Sequence, residues 1–188
     1  MERPLVVAVC GSRREGSYTR KALEIALDGA EAAGAETELI DLRTADVPLY
    51  DPDADDEEQG KVVELMALVE RADGVLVGSP VYHGSYSSTF KNFHDFCGSD
   101  EYEDTVCGLL ATAGGSNYEG TLEHMRATMR NVHALTVPRQ VGIGGASRAF
   151  EDDMLSDSGL EERVVGLGED VAEYARRLSK PCESVAVE

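Results

Sequence analysis

Apolar residues along this chain fall into two rhythms, and the rhythms take turns. Leu5 to Cys10 (LVVAVC) is continuously apolar and rich in Val, the pattern of a strand buried on both faces. Ala22, Leu23, Ala26, Leu27 and Ala30 then recur at helical spacing. Glu36 to Leu42 (ETELIDL) alternates and predicts a second strand, and the helix before it suits a right-handed βαβ unit. Val62, Leu65, Met66 and Val69 predict a second helix, and Val75 to Val77 a short buried strand. Phe90, Phe93 and Phe96 mark a third helix, bounded by Cys97-Gly98, and Val106 to Ala113 (VCGLLATA) a fourth strand. Leu122, Met125, Met129 and Val132 follow as a helix. His133 to Val137 predicts the fifth strand, with Val141 to Gly144 a loop or extension. Leu160, Val164, Leu167, Val171, Tyr174 and Leu178 form the last helix, which Pro181 ends before a frayed tail. Two stretches read as irregular: Val47 to Glu58, closing in an acidic run, and Gly144 to Ser158. Strands alternating with helices predict a doubly wound α/β sheet. With no repeat or linker, 1–188 is expected to be one domain with its core at about 5–178.

In such a sheet, ligands bind at the loops that leave the carboxyl ends of the strands. Three of these loops carry candidate chemistry. In Gly11 to Thr19, hydroxyls, backbone N–H groups and a helix start can surround an anion, with Ser17 as cap and Arg14 as a forked cation. The loop has neither the Gly-Lys-Ser/Thr of a Walker loop nor a G-x-G-x-x-G run. Its plainer reading is an exposed basic turn. The second loop leaves its strand through Gly78-Ser79-Pro80 and presents Val81, Tyr82, His83 and Gly84. The third holds Gly114, Gly115, Ser116, Asn117 and Tyr118, where successive glycines let backbone approach a flat ligand. A flexible connection is the alternative there.

Charge narrows the partners. Thirty-six acidic residues against 17 basic give a net −19, which argues against nucleic acid and anionic membrane. The acids are spread along the chain and lysine is confined to Lys21, Lys61, Lys91 and Lys180, the composition of a protein adapted to high salt. Cys10, Cys97, Cys107 and Cys182 are far apart, and the four histidines have no ligand spacing, so no metal site is expected. No apolar run approaches the roughly 20 residues of a membrane span. The first residues lack a signal-peptide layout, so the expected compartment is the cytoplasm.

Ser79-Pro80-Val81-Tyr82-His83-Gly84-Ser85-Tyr86, followed by Phe90-Lys91-Asn92, resembles the signature of the NADPH-dependent FMN reductase family, typically SPEYNGSYPGxLKNALDW. Gly11, Ser12, Arg14, Ser17 and Arg20 match that family's GSxRxxSxxR. The likeness runs from about Leu5 to Leu178. Val81 stands for the usual Glu and His83 for the usual Asn. The resemblance implies a flavodoxin-like five-stranded parallel sheet of order 2-1-3-4-5. It implies bound FMN, with Ser12, Arg14, Ser17 and Thr19 at the phosphate and Tyr18 beside them. Pro80, Val81, Tyr82, His83 and Gly84 would lie along the ring, and Gly114, Gly115 and Ser116 at its pyrimidine edge. NADPH or NADH would supply hydride through the flavin to a flavin, quinone or similar small acceptor. No side chain need be catalytic, although a protonated His83 would stabilise charge on a reduced acceptor. A homodimer or homotetramer is implied, with the acidic loop near the subunit interface. Two other readings remain open: a flavodoxin-like electron carrier, whose usual T/S-x-T-G-x-T loop is missing here, and a flavin-free binding module on the same fold.

Overall fold

The computed structural model describes residues 3–54 and 60–178. The end of the acidic run and the tail with Pro181 and Cys182 lie outside them. In chain order the elements are β1 (Leu5–Cys10), α1 (Tyr18–Ala32), β2 (Glu36–Asp41), α2 (Val62–Glu70), β3 (Gly74–Pro80), α3 (Ser88–Phe96) and α4 (Ser99–Tyr102). They continue with β4 (Val106–Thr112), α5 (Glu119–Asn131), β5 (Leu135–Ile143), α6 (Ala146–Ala149), β6 (Phe150–Glu151), β7 (Met154–Leu155) and α7 (Ser158–Leu178). The five long strands form one parallel sheet in the order β2-β1-β3-β4-β5. The expected flavodoxin-like α/β fold is therefore present.

Side chains of β1 divide between two cores. Val6, Ala8 and Cys10 pack with α1 and α7, and Val7 and Val9 with α2, α3 and α5. Because helices cover both faces, β3 and β4 are buried along their whole length, which is why their sequences are apolar without alternation. On the first face α1 and α7 meet backbone to backbone. A Cβ at Gly29 would lie 2.3 Å from the Val165 carbonyl oxygen, and one at Gly168 only 1.7 Å from that of Ala26.

Three parts of the chain depart from expectation. β5 does not span His133 to Val137. His133 sits in a left-handed turn at φ +66°, and the strand runs on through Val141, Gly142 and Ile143. Pro138 is tolerated because β5 is an edge strand with a register break. Cys107 to Leu109 on β4 faces Thr136 to Gln140 on β5, so extra residues loop out around the proline. The Arg126 guanidinium bridges this break, donating to Gln140 Oε1, Thr136 Oγ1 and the Val137 carbonyl. The stretch expected to be irregular at 144–158 holds the short α6 and the antiparallel β6–β7 hairpin. The one-turn α4 was also not foreseen.

Gly168→Ala forces a methyl group into the Ala26 carbonyl, so the α1–α7 contact must open. The expected loss is about 3 kcal/mol, read as a lower denaturant midpoint with the same slope.

Candidate functional site

The first loop starts where β1 stops. Gly11 N–H donates to the Gly78 carbonyl (2.8 Å). A Cβ at Gly11 would lie 2.7 Å from that of Phe90, so only glycine lets the loop lie against α3. Ser12 is buried and its Oγ accepts from Arg14 N–H (3.3 Å). Gly16 takes φ +64°, and Ser17 caps α1 by accepting from Arg20 N–H (3.2 Å). The first turn of α1 contains no acidic residue, in a chain with 36 of them. Its positive end therefore stays open to an outside anion. Around it Arg20 pairs with Glu24 and Asp41, Arg43 with Glu15, and Lys21 with Asp153. Arg14 makes no ion pair among the described residues. Tyr18 stacks on Phe150 (5.3 Å between centroids), which lays the β6–β7 hairpin beside the loop.

One expectation needs correction. The Thr19 hydroxyl is buried and bonded to Thr112 Oγ1 (2.6 Å), so it ties α1 to β4 and is not free for a phosphate. Only its backbone N–H remains at the helix start.

The second loop is clamped from both sides. Ser79 Oγ donates to the Pro80 carbonyl and accepts from Ser87 N–H, both at 2.9 Å. Ser87 Oγ donates to the Gly11 carbonyl (2.6 Å) and accepts from Phe90 N–H (3.1 Å), capping α3. Val81 N–H donates to the Thr112 carbonyl (2.8 Å). Between these anchors, Tyr82 and Ser85 exchange backbone hydrogen bonds of 2.9 and 3.1 Å. The two residues between them have φ +51° (His83) and +81° (Gly84), a type I′ turn. Asn-Gly is the pair such a turn favours, so the Asn usual at position 83 has a backbone reason apart from any ligand. Histidine adopts the left-handed region less readily than glycine or asparagine, but it is tolerated there. Tyr82, His83 and Gly84 are exposed, Tyr82 to 52%.

The third loop is held from below. Ala113 N–H donates to the Ile143 carbonyl, Ala146 N–H to that of Ala113 and Gly145 N–H to that of Gly115, all at 2.8–2.9 Å. The Tyr118 ring lies directly over Gly142, where a Cβ would be 1.9 Å from it. Gly114, Gly115 and Ser116 are exposed, and nothing lies within 4 Å of a Cβ built on either glycine. This stretch is open above.

The three loops thus share one sheet edge. Two cations without an ion pair among the described residues, Arg13 and Arg14, and an acid-free helix start lie at one end, and an exposed tyrosine with a bare glycine turn at the other. The donor set fits a flat ring carrying an anionic tail, which is the shape and charge of FMN. Cys10 lies under the first loop, but burial pushes its thiol up to about 11 and it packs as a small hydrophobe. Sequence reading placed Ser79, Tyr118 and Gly142 in or beside the loops without giving their side chains or backbone a role, and passed over Ser87. Ser87 precedes a helical run and is legible as a cap; its bond to Gly11, 76 residues away, is not.

Ser87→Ala removes a cap and a buried bond to Gly11, and is expected to cost about 2 kcal/mol, seen as a lower midpoint in urea. His83→Asn is expected to stabilise the protein by about 0.5 kcal/mol, seen as a small rise in Tm at fixed salt.

Residues 4–148 match the NADPH-dependent FMN reductase family. The chain is 33% identical to an NADPH azoreductase of Bacillus sp. (strain OY1-2) over 74% of this chain and 76% of that one. It is 32% identical to the NADH-dependent FMN reductase SfnE of Pseudomonas putida, covering 87% of this chain and 89% of the relative. Its fold is like that of FerB, a flavoenzyme NAD(P)H:(acceptor) oxidoreductase from Paracoccus denitrificans, at TM-score 0.77 and 20% identity over 93% and 98% of the two chains. The chain belongs to the NADPH-dependent FMN reductase family, and its chemistry is FMN-dependent oxidoreduction with a nicotinamide donor.

Proposed function

We propose that FMN lies across the three loops, phosphate at the first and ring between the second and third. Arg14, without an ion pair among the described residues and close to an acid-free helix start in so acidic a chain, is the observation that carries this reading. Arg14, the Ser12 and Ser17 hydroxyls, and the N–H groups of Tyr18 and Thr19 hold the phosphate. Pro80, Val81, Tyr82, His83 and Gly84 form the wall along the ring, and the backbone of Gly114, Gly115 and Ser116 faces its pyrimidine edge. When bound, FMN would supply the redox chemistry between NADPH or NADH and a small acceptor such as a flavin, a quinone or an azo compound. The chain's part is to bind and orient, and Val81 in place of a carboxylate leaves that wall without a negative charge. This supports an acceptor that is itself neutral or anionic.

One domain, 1–188, carries the site. It works as a homodimer or homotetramer, which the open cleft and one surface feature support. The Asn92 side chain donates to the Pro48 carbonyl (2.7 Å) and accepts from Tyr50 N–H (3.0 Å), holding Leu49 outward at 86% exposure. A second copy covering Leu49 accounts for that cost. The charge of −19 fits work in high salt, where screening relieves self-repulsion. The three described cysteines are free and buried, which suits the cytoplasm, and no helix among the described residues is long and apolar enough to cross a membrane.

The test is an anaerobic absorption spectrum of the protein reconstituted with FMN in high salt, before and after NADPH or NADH and then a quinone. Bleaching followed by recovery is expected, with Arg14→Ala weakening FMN binding about tenfold or more at unchanged stability. Flavin that stays bound and coloured with either donor would point to an electron carrier. Failure to retain any flavin in salt that keeps the protein folded would leave a binding module.

A further inference from the structure

His124 lies outside the three loops, on α5. Its Nδ1 is 3.1 Å from Ser85 Oγ, and Ser85 closes the type I′ turn that begins at Tyr82. One helical turn earlier, Gly120 faces the same turn: a Cβ there would be 3.7 Å from the Gly84 carbonyl oxygen, ordinary contact distance. The helix therefore lies along the turn and fastens to it at one side chain. The same helix starts at Glu119, immediately after the third loop, whose Tyr118 is seated on Gly142. One helix thus contacts the second loop and follows directly from the third.

The turn needs such a fastening. A two-residue hairpin is marginal alone, and this one carries a histidine in the left-handed region, which adds local cost. Val81 fixes its entry through Thr112, and Ser87 fixes the chain beyond its exit through Gly11. Tyr82, His83 and Gly84 are exposed between these points, and the Ser85–His124 contact is the side-chain hydrogen bond made within the turn.

We propose that His124 is a positioning residue: through Ser85 it sets the angle of the Tyr82–Ser85 turn against the Gly114–Ser116 stretch, and so the width of the slot in which ring and donor stack. The inference rests on the reading above that this turn is the stacking wall. The imidazole touches neither cofactor nor donor in this account. Its effect on turnover comes through placement of Tyr82. Either tautomer serves, because the Ser85 hydroxyl can donate or accept.

The experiment compares the parent protein with His124→Ala, Ser85→Ala and His124→Asn, the last keeping a hydrogen-bonding atom near the place of Nδ1. Amide exchange at Tyr82 and Ser85 is followed in the flavin-free protein, and steady-state kinetics with the nicotinamide donor in the reconstituted one. Loss of one hydrogen bond predicts about fivefold faster exchange at both amides in the two alanine variants. It predicts a donor KM about fivefold higher with kcat within twofold, an unchanged urea midpoint, and recovery of both readouts in His124→Asn. Unchanged exchange in His124→Ala, or His124→Asn as impaired as His124→Ala, overturns the proposal. A shift in kcat alone, with KM and exchange untouched, overturns it as well. If exchange responds as expected but no protein, parent included, has its flavin reduced, the brace is upheld and the proposed function is what fails.

Discussion

The Ser87 hydroxyl holds the site together. It donates to the carbonyl of Gly11 at the exit of β1 and accepts from the Phe90 N–H in the first turn of α3. Two strands that neighbour each other in the sheet thereby have their exit loops joined by a single buried atom. The bond requires the loops to approach closely, and Gly11 is where this happens: its missing side chain leaves the space that Phe90 fills. Ser79 completes the junction by accepting from the Ser87 backbone. Buried hydroxyls with all their bonds made act as rigid joints, since breaking any bond strands a polar group away from water.

Around this joint the fold separates what must be rigid from what must be reachable. The sheet is covered on both faces, so the strands are apolar and the exits are fixed in space. The loops then expose selected groups: a guanidinium and a helix start at one end, and a tyrosine and bare glycine backbone at the other. The electrostatics follow the same division. Near the first loop Arg20, Lys21 and Arg43 are each matched by an acid, while Arg13 and Arg14 have no ion pair among the described residues and the helix start beside them is free of acids. In a chain of net charge −19, two adjacent unmatched cations favour an anion at this loop.

Much of the fold was legible because buried parallel strands are continuous apolar runs and helices repeat at a different period. β1, β3 and β4 were found for that reason. β5 was cut short because Pro138 and the polar residues around it break the pattern, and an edge strand with a register shift obeys a looser rule. The β6–β7 hairpin was missed because two-residue strands have no period to read. Within the site, His83 read as a ligand-facing substitution, while the backbone assigns position 83 a demand for positive φ. Thr19 read as a phosphate contact, and Thr112, 93 residues away, takes its hydroxyl.

The sequence by itself determined the alternation of strands and helices, the three polar loops after β1, β3 and β4, and the motifs that link the chain to its family. These depend on periodicity and on local turn chemistry, which a few adjacent residues encode. Only the tertiary structure decided which hydroxyls remain available, which basic residues are matched by acids, and which helix lies against the Tyr82–Ser85 turn. Each of those is a pairing between residues tens of positions apart. A hydrogen bond is made over about 3 Å, a distance that the folded packing sets and the spacing along the chain does not.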